Sequence, residues 1–110
     1  MPKVFAVTTF NHPLFISFDL EESEANRRKH GVSLMLARMI DWSCIWSAPD
    51  TRKDYGALRE IGFASIGRRL FCVVFTQCPR QFRIVSLRRA SNKETACYER
   101  TIQTHPQYAR

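Results

Sequence analysis

The chain has 110 residues, 45% hydrophobic and 25% charged, with 17 Lys and Arg against 10 Asp and Glu, for a formal charge of +7. A chain of that length and apolar content forms one domain with a real core, because roughly two-thirds of its unfolded surface becomes buried on folding, and intrinsically disordered, collagen-like and low-complexity classes are excluded. No apolar run approaches the roughly 18 residues of a membrane span, and residues 1–15 are interrupted by Asn11, His12 and Pro13 without a small-residue cleavage site, so we expect a soluble, unexported, cytoplasmic protein with no membrane partner.

Residues 3–10 alternate loosely up to Asn-His-Pro and read as an edge strand or arm, followed by a second short strand over residues 14–18. Asp19 stands ahead of Leu20-Glu21-Glu22 as an N-cap with acid in the first turn and Glu three residues on. The run ends Arg27-Arg28-Lys29-His30-Gly31, with cations in the last turn and Gly at the C′ position, so a first helix is predicted from Asp19 to about His30. Ser33 opens a short apolar helix over residues 34–40, whose Leu and Met side chains are expected in the core. Trp42, Ile45 and Trp46 suggest a strand, and residues 49–56 an exposed loop.

Three apolar stretches follow, residues 59–66, 70–76 and 82–87, with turns at Gly67 and at Cys78-Pro79-Arg80-Gln81, which predicts two antiparallel hairpins. Residues 70–76 are apolar on both alternating faces, the mark of a central strand covered on both sides. Ser91-Asn92-Lys93-Glu94 is a second capping box, opening a final helix that carries Cys97, Tyr98 and Ile102 and is limited by Pro106. The expected architecture is a single α+β domain over residues 1–110. It has an antiparallel sheet of about four to six strands, two N-terminal helices and one C-terminal helix, with no internal repeat or linker.

The positive charge is unevenly placed. Residues 1–50 carry five cations and six anions, whereas residues 51–110 carry twelve cations and four anions. Between Ile61 and Lys93 there is no Asp or Glu, yet Arg68, Arg69, Arg80, Arg83, Arg88, Arg89 and Lys93 all fall there. Such a stretch favours a polyanion or an acidic protein partner over a merely solvated surface, the more so because Arg outnumbers Lys thirteen to four and its planar fork suits phosphate and carboxylate. The four cysteines, Cys44, Cys72, Cys78 and Cys97, have no metal or redox spacing and read as reduced, structural thiols.

Metal and nucleotide motifs are absent: there is no Gly-rich phosphate loop, no His-x-x-x-His or Cys-x-x-Cys pair and no acidic cluster, so neither a metal nor another cofactor is expected. The unusual content is a set of cations with one imidazole and one phenol. Lys29 and His30 end the first helix, where a His serves either as a dipole-favoured cation or as an acid or base. Arg59 begins the first hairpin strand. Arg88 and Arg89 end the last strand, and only one of them can share a site if strand geometry persists, because neighbouring strand residues face opposite ways. Tyr98 follows Glu94 by one helical turn, so the two can meet on one face, either in packing or at a site.

The order of short motifs is more specific than any one of them. The opening reads Ile16-Ser17-Phe18-Asp19, then Asn26 and Lys29-His30-Gly31-Val32. The middle reads 50–56 with Arg59, then Arg69 and Val73-Val74-Phe75-Thr76. The end reads Arg83-Ile84-Val85-Ser86-Leu87-Arg88-Arg89-Ala90, then Glu94 and Tyr98. Over about residues 16–100 this resembles the BrnT toxins of bacterial type II toxin–antitoxin pairs. Ala64 stands where the family usually has Gly in the first hairpin strand, and Cys78-Pro79-Arg80-Gln81 replaces an often Gly-rich turn. Residues 1–15 lie outside the match as an added strand or arm.

The resemblance implies a RelE-like fold and a metal-independent endoribonuclease that lowers translation. It further implies neutralisation by a cognate BrnA-type antitoxin, in a hetero-oligomer with the antitoxin dimer, covering the cationic face. On this reading Arg59 and Arg88, with Arg89 alongside, clamp the scissile phosphate, His30 or Lys29 acts as base or acid, and Tyr98 donates or orients. Arg68, Arg69, Arg83 and Lys93 would hold the rest of the RNA. The alternatives are a non-catalytic RNA-binding module or a protein-interaction domain with the same basic face.

Overall fold

The computed structural model describes residues 15–51, 58–78 and 81–104. In chain order these form β1 (Phe15–Ser17), α1 (Leu20–His30), two 3-10 helices (Leu34–Met39 and Trp42–Cys44), β2 (Trp46–Pro49), β3 (Glu60–Ile66), β4 (Arg69–Cys78), β5 (Gln81–Arg89) and α2 (Asn92–Thr104). The expected strand over residues 3–10 and most of the expected loop over residues 49–56 lie outside the described residues. Among the described residues no helix is long and apolar enough to cross a membrane.

The strands make one five-stranded sheet in the order β1-β5-β4-β3-β2. The double-sided apolar pattern places β4 at its centre, as expected. Phe71, Val73 and Phe75 face the main core, and Cys72 and Val74, 2% and 7% exposed, are buried on the other face. The β3–β4 and β4–β5 hairpins are antiparallel, with Gly67 at φ +63 in the first turn. The main core joins the β4 side chains to Ala64, Phe82, Ile84 and Leu87 and to the covering segment Leu34, Ala37, Ile40, Trp42 and Ile45. Its centre is an aromatic trio, with Trp42 edge-on to Phe75 and Phe82 at centroid separations of 5.2 and 4.9 Å, a geometry that adds roughly 0.5–1.5 kcal/mol per pair beyond burial. Gly62 is required by close approach, since a Cβ there would stand 2.8 Å from Ile45 Cδ1.

Several expectations need correction. The sheet is mixed, because β1 runs parallel to β5. Tight turns impose antiparallel pairing on consecutive strands, but β1 pairs with the last strand, and no turn dictates its direction. The expected short apolar helix is present as a 3-10 helix, but its methionines are not core: Met35 and Met39 are 51% and 67% exposed. Three residues per turn align Leu34, Ala37 and Ile40 on one face and rotate the methionines outward. Trp42 belongs to a 3-10 turn instead of a strand, its indole donating to Ala37 O at 3.3 Å. Asp50, expected in an exposed loop, is buried, and Pro49 ends β2. The four cysteines are free thiols as expected, but Cys97 is exposed.

Both predicted caps are present. Asp19 accepts from the backbone N–H of Glu21 and Glu22 at 2.8 and 3.1 Å, and Gly31 closes α1 at φ +83. Ser91 and Glu94 bond reciprocally, backbone N–H to side chain, at 3.1 and 2.8 Å.

A bulge decides which side chains reach which face of the sheet. Val74 pairs with Ser86 but Phe75 pairs with Ile84, so Val85 is an extra residue on β5. Without it, Ile84 and Leu87 would face opposite ways. With it, both enter the core, and Ser86 and Arg88 turn together onto the opposite face.

Candidate functional site

Helix α1 has no apolar stripe; its buried residues are Ser23 and Asn26. It is held by hydrogen bonds instead. Ser23 Oγ accepts from Leu34 N–H at 2.9 Å. The Asn26 amide donates to Leu87 O and Val32 O at 2.7 and 2.9 Å and accepts from Leu87 N–H at 3.2 Å. Because β1 pairs with β5 only from Gln81 to Arg83, the outer edge of β5 at Leu87 has no strand beside it among the described residues. The Asn26 carboxamide substitutes for one, giving and taking a hydrogen bond as a peptide unit would. This contact fixes the C-terminal turn of α1, which carries Lys29 and His30, against the end of β5.

The result is a cleft of about 250 Å³ on the sheet face opposite the main core. Its floor is Ile61, Cys72 and Val74, its β5 wall is Val85, Ser86 and Arg88, and Lys29 and His30 from α1 and Arg59 ahead of β3 stand at its rim. In the sequence Lys29 and His30 are neighbours, but Arg59 and Arg88 lie in two distant segments; sheet pairing, the bulge and the Asn26 clamp bring the three segments together. Among the described residues no carboxylate lines the cleft. A second, equally large cleft shares Lys29, His30, Val85 and Ser86 with the first and continues past Ala25 to Glu22.

The charged side chains that line the cleft among the described residues are cations. Burial, then the Lys29 and Arg88 cations, lower the pKa of His30 below the ordinary imidazole value of 6.5, which leaves the ring neutral and able to accept a proton at neutral pH. Arg88 forms a fork-to-fork ion pair with Glu94, Nη1 to Oε1 and Nη2 to Oε2, both 2.8 Å. The Arg88 bonds and the backbone N–H of Ser91 hold the Glu94 carboxyl down at about 2. The same carboxylate therefore orients the guanidinium and caps α2.

That linkage gives a pH prediction. The folded Glu94 pKa lies below its ordinary value of 4.5, so its stabilisation is present above pH 4.5 and is lost as pH falls toward 2. Urea denaturation between those limits should show a loss of about 1–2 kcal/mol for the native chain, after allowance for solvent screening, that is absent in Glu94→Gln.

The remaining expected site residues are spread out. Strand geometry does persist to the end of β5, so Arg88 lines the cleft and Arg89, paired with Phe71, faces the other side of the sheet. Arg69 lies on that same other face at the start of β4, and Arg68 is in the exposed β3–β4 turn. Arg83 shares the cleft face and lies beside Glu22, Nη2 to Oε1 3.5 Å. Lys93 is exposed in the first turn of α2. Tyr98 is half-buried one turn beyond Glu94 and is not among the cleft-lining residues. Sequence reasoning passed over Asn26 and Glu94 as site-building residues. Signals existed for both: Asn26 stands in the motif order and has poor helix propensity in mid-helix, and Glu94 stands in that order as a cap and as a neighbour of Tyr98, but not as the partner of Arg88. Among the described residues no three of His, Cys, Asp and Glu come together as metal ligands would.

No curated protein matches the chain. A family model does, over residues 18–94, and its description is the ribonuclease toxin BrnT of type II toxin–antitoxin systems. The matched span runs from the residue before the α1 cap, through the Asn26 clamp and the β5 bulge, to the Glu94 partner of Arg88, and the chain belongs to the BrnT toxin family.

Proposed function

We propose that the cleft cleaves RNA without a metal ion, as the endoribonuclease activity of a toxin with a RelE-like fold that acts in the cytoplasm and lowers translation. The observation that carries this is the convergence of Lys29, His30, Arg59 and Arg88 on one cleft. Neutral His30 takes the proton of a ribose 2′-hydroxyl, whose oxygen attacks the adjacent phosphorus. Arg59 and Arg88 stabilise the added negative charge of the phosphorane. Lys29 gives a proton to the departing 5′-oxygen. Arg83 contacts RNA on the same face next to Glu22, and Arg68, Arg69, Arg89, Lys93 and Tyr98 contact RNA outside the cleft. A type II family implies an antitoxin partner. We assign that role to a BrnA-type protein whose dimer covers the cleft face in a hetero-oligomer.

The test is cleavage of RNA by the purified, antitoxin-free chain in EDTA. Wild type should cleave, and His30→Ala should be slower by about 10²–10⁴-fold. The kcat/KM profile of wild type should fall on its acid side with an apparent pKa below 6.5, since protonation of the depressed His30 removes the base. Undiminished cleavage by both His30→Ala and Arg88→Ala would refute the assignment.

A further inference from the structure

We infer that the second cleft is a nucleobase subsite that selects guanine on the 5′ side of the scissile phosphate, a reading that rests on the proposed RNA cleavage. The two clefts meet at Lys29, His30, Val85 and Ser86. A ribose whose 2′-hydroxyl reaches His30 therefore sits at the junction, with its 3′-phosphate in the Arg59–Arg88 cleft. The base of that same nucleotide is left with the neighbouring space. The second cleft holds about 250 Å³, ample for a purine, and Ala25 and Val85 give it apolar surface against which a base can lie.

The polar group at its far end is Glu22, and the guanidinium of Arg83 lies 3.5 Å from the Glu22 carboxylate. Asn26 also lines the cleft, but its amide is committed to Leu87 and Val32, so it does not read the base. A carboxylate beside a guanidinium presents acceptors next to donors. The Watson–Crick edge of guanine is the complement: N1–H and the N2 amino group donate in parallel to the two carboxylate oxygens, and O6 accepts from Arg83. Adenine and cytosine offer the carboxylate a single amino group, and uracil places a carbonyl on each side of its one N–H. Base-edge reading of this kind on an unpaired nucleotide is the usual source of RNA sequence preference, and one good bidentate pair is worth about tenfold or more in discrimination.

The experiment is cleavage of short oligonucleotides that contain one GpA, ApA, CpA or UpA step, with the cut site read by sequencing. It is accompanied by NMR titration of the uncleavable probes 3′-GMP, 3′-AMP, 3′-CMP and 3′-UMP. Wild type should cut after G about tenfold faster than after any other base and bind 3′-GMP most tightly. Glu22→Gln should bring the G preference to within about twofold of A and weaken 3′-GMP by a similar factor, because an amide accepts at one position and donates at the other. Cleavage with equal rates after all four bases, or a G preference that Glu22→Gln leaves intact, would overturn the subsite. Glu22-dependent binding of 3′-GMP without cleavage of any oligonucleotide would sustain the subsite and refute the ribonuclease reading instead.

Discussion

Replacing Arg88 by Ala should lower RNA cleavage by about 10²–10³-fold, the range typical of removing one fixed charge-stabilising donor from a catalytic site. The guanidinium is the only β5 cation lining the phosphate cleft among the described residues, and its fork is held by Glu94 with two bonds of 2.8 Å. Arg88→Lys should recover little, because an ammonium restores the charge but cannot hold a carboxylate in two parallel bonds and remain aimed at the cleft. The substitution also releases Glu94, whose carboxyl is held at about 2 chiefly by the Arg88 hydrogen bonds. The Glu94 titration should therefore rise toward the ordinary carboxylate range, and NMR titration of its side-chain carboxyl reports this independently of activity. A variant cleaving within about threefold of wild type would remove Arg88 from the chemistry.

Asn26→Leu should be the most destabilising single change in α1. The site is buried, and the amide serves three backbone groups: Leu87 N–H, Leu87 O and Val32 O. An apolar side chain of similar size leaves all three without their partner inside the protein, at a cost of about 2–4 kcal/mol. Asn26→Asp should be no milder, since it keeps the bond from Leu87 N–H but turns carboxylate oxygens toward two carbonyls. Cleavage should fall with stability, because the same clamp sets Lys29 and His30 beside Arg88. Urea unfolding monitored by tryptophan fluorescence measures the first effect. A loss below about 0.5 kcal/mol would show that solvent or a neighbouring group satisfies the β5 edge as well as Asn26 does.

These two residues illustrate what the sequence makes legible. Local chemistry is visible: Asp19 and Gly31 bound α1, Ser91 and Glu94 open α2, and the two-sided apolar run of β4 marks the sheet centre. Each of those signals is written within a few neighbouring residues. The parallel β1–β5 pairing joins residues far apart in the chain, and no local pattern encodes it. The 3-10 geometry of Leu34–Met39 depends on how that segment covers the sheet, so reading every apolar side chain of the run as core misplaces Met35 and Met39. In the site, adjacency rules separate Arg88 from Arg89. Which of the two turns toward the cleft depends on the single extra residue Val85, and a bulge of that kind is invisible until the register of both strands is known. The charge excess of the second half likewise divides between the two faces, with Arg59, Arg83 and Arg88 on one and Arg69 and Arg89 on the other.

The central claim is that a neutral imidazole and three fixed cations cleave RNA by attack of its own 2′-hydroxyl. Mass spectrometry of the products formed in EDTA tests this most directly. Attack by the 2′-oxygen, with the 5′-oxygen leaving, must yield a 2′,3′-cyclic phosphate, or the 3′-phosphate formed on its hydrolysis, and a free 5′-hydroxyl. Products ending in a 3′-hydroxyl and a 5′-phosphate, or RNA that stays intact until a divalent metal is added, would contradict it.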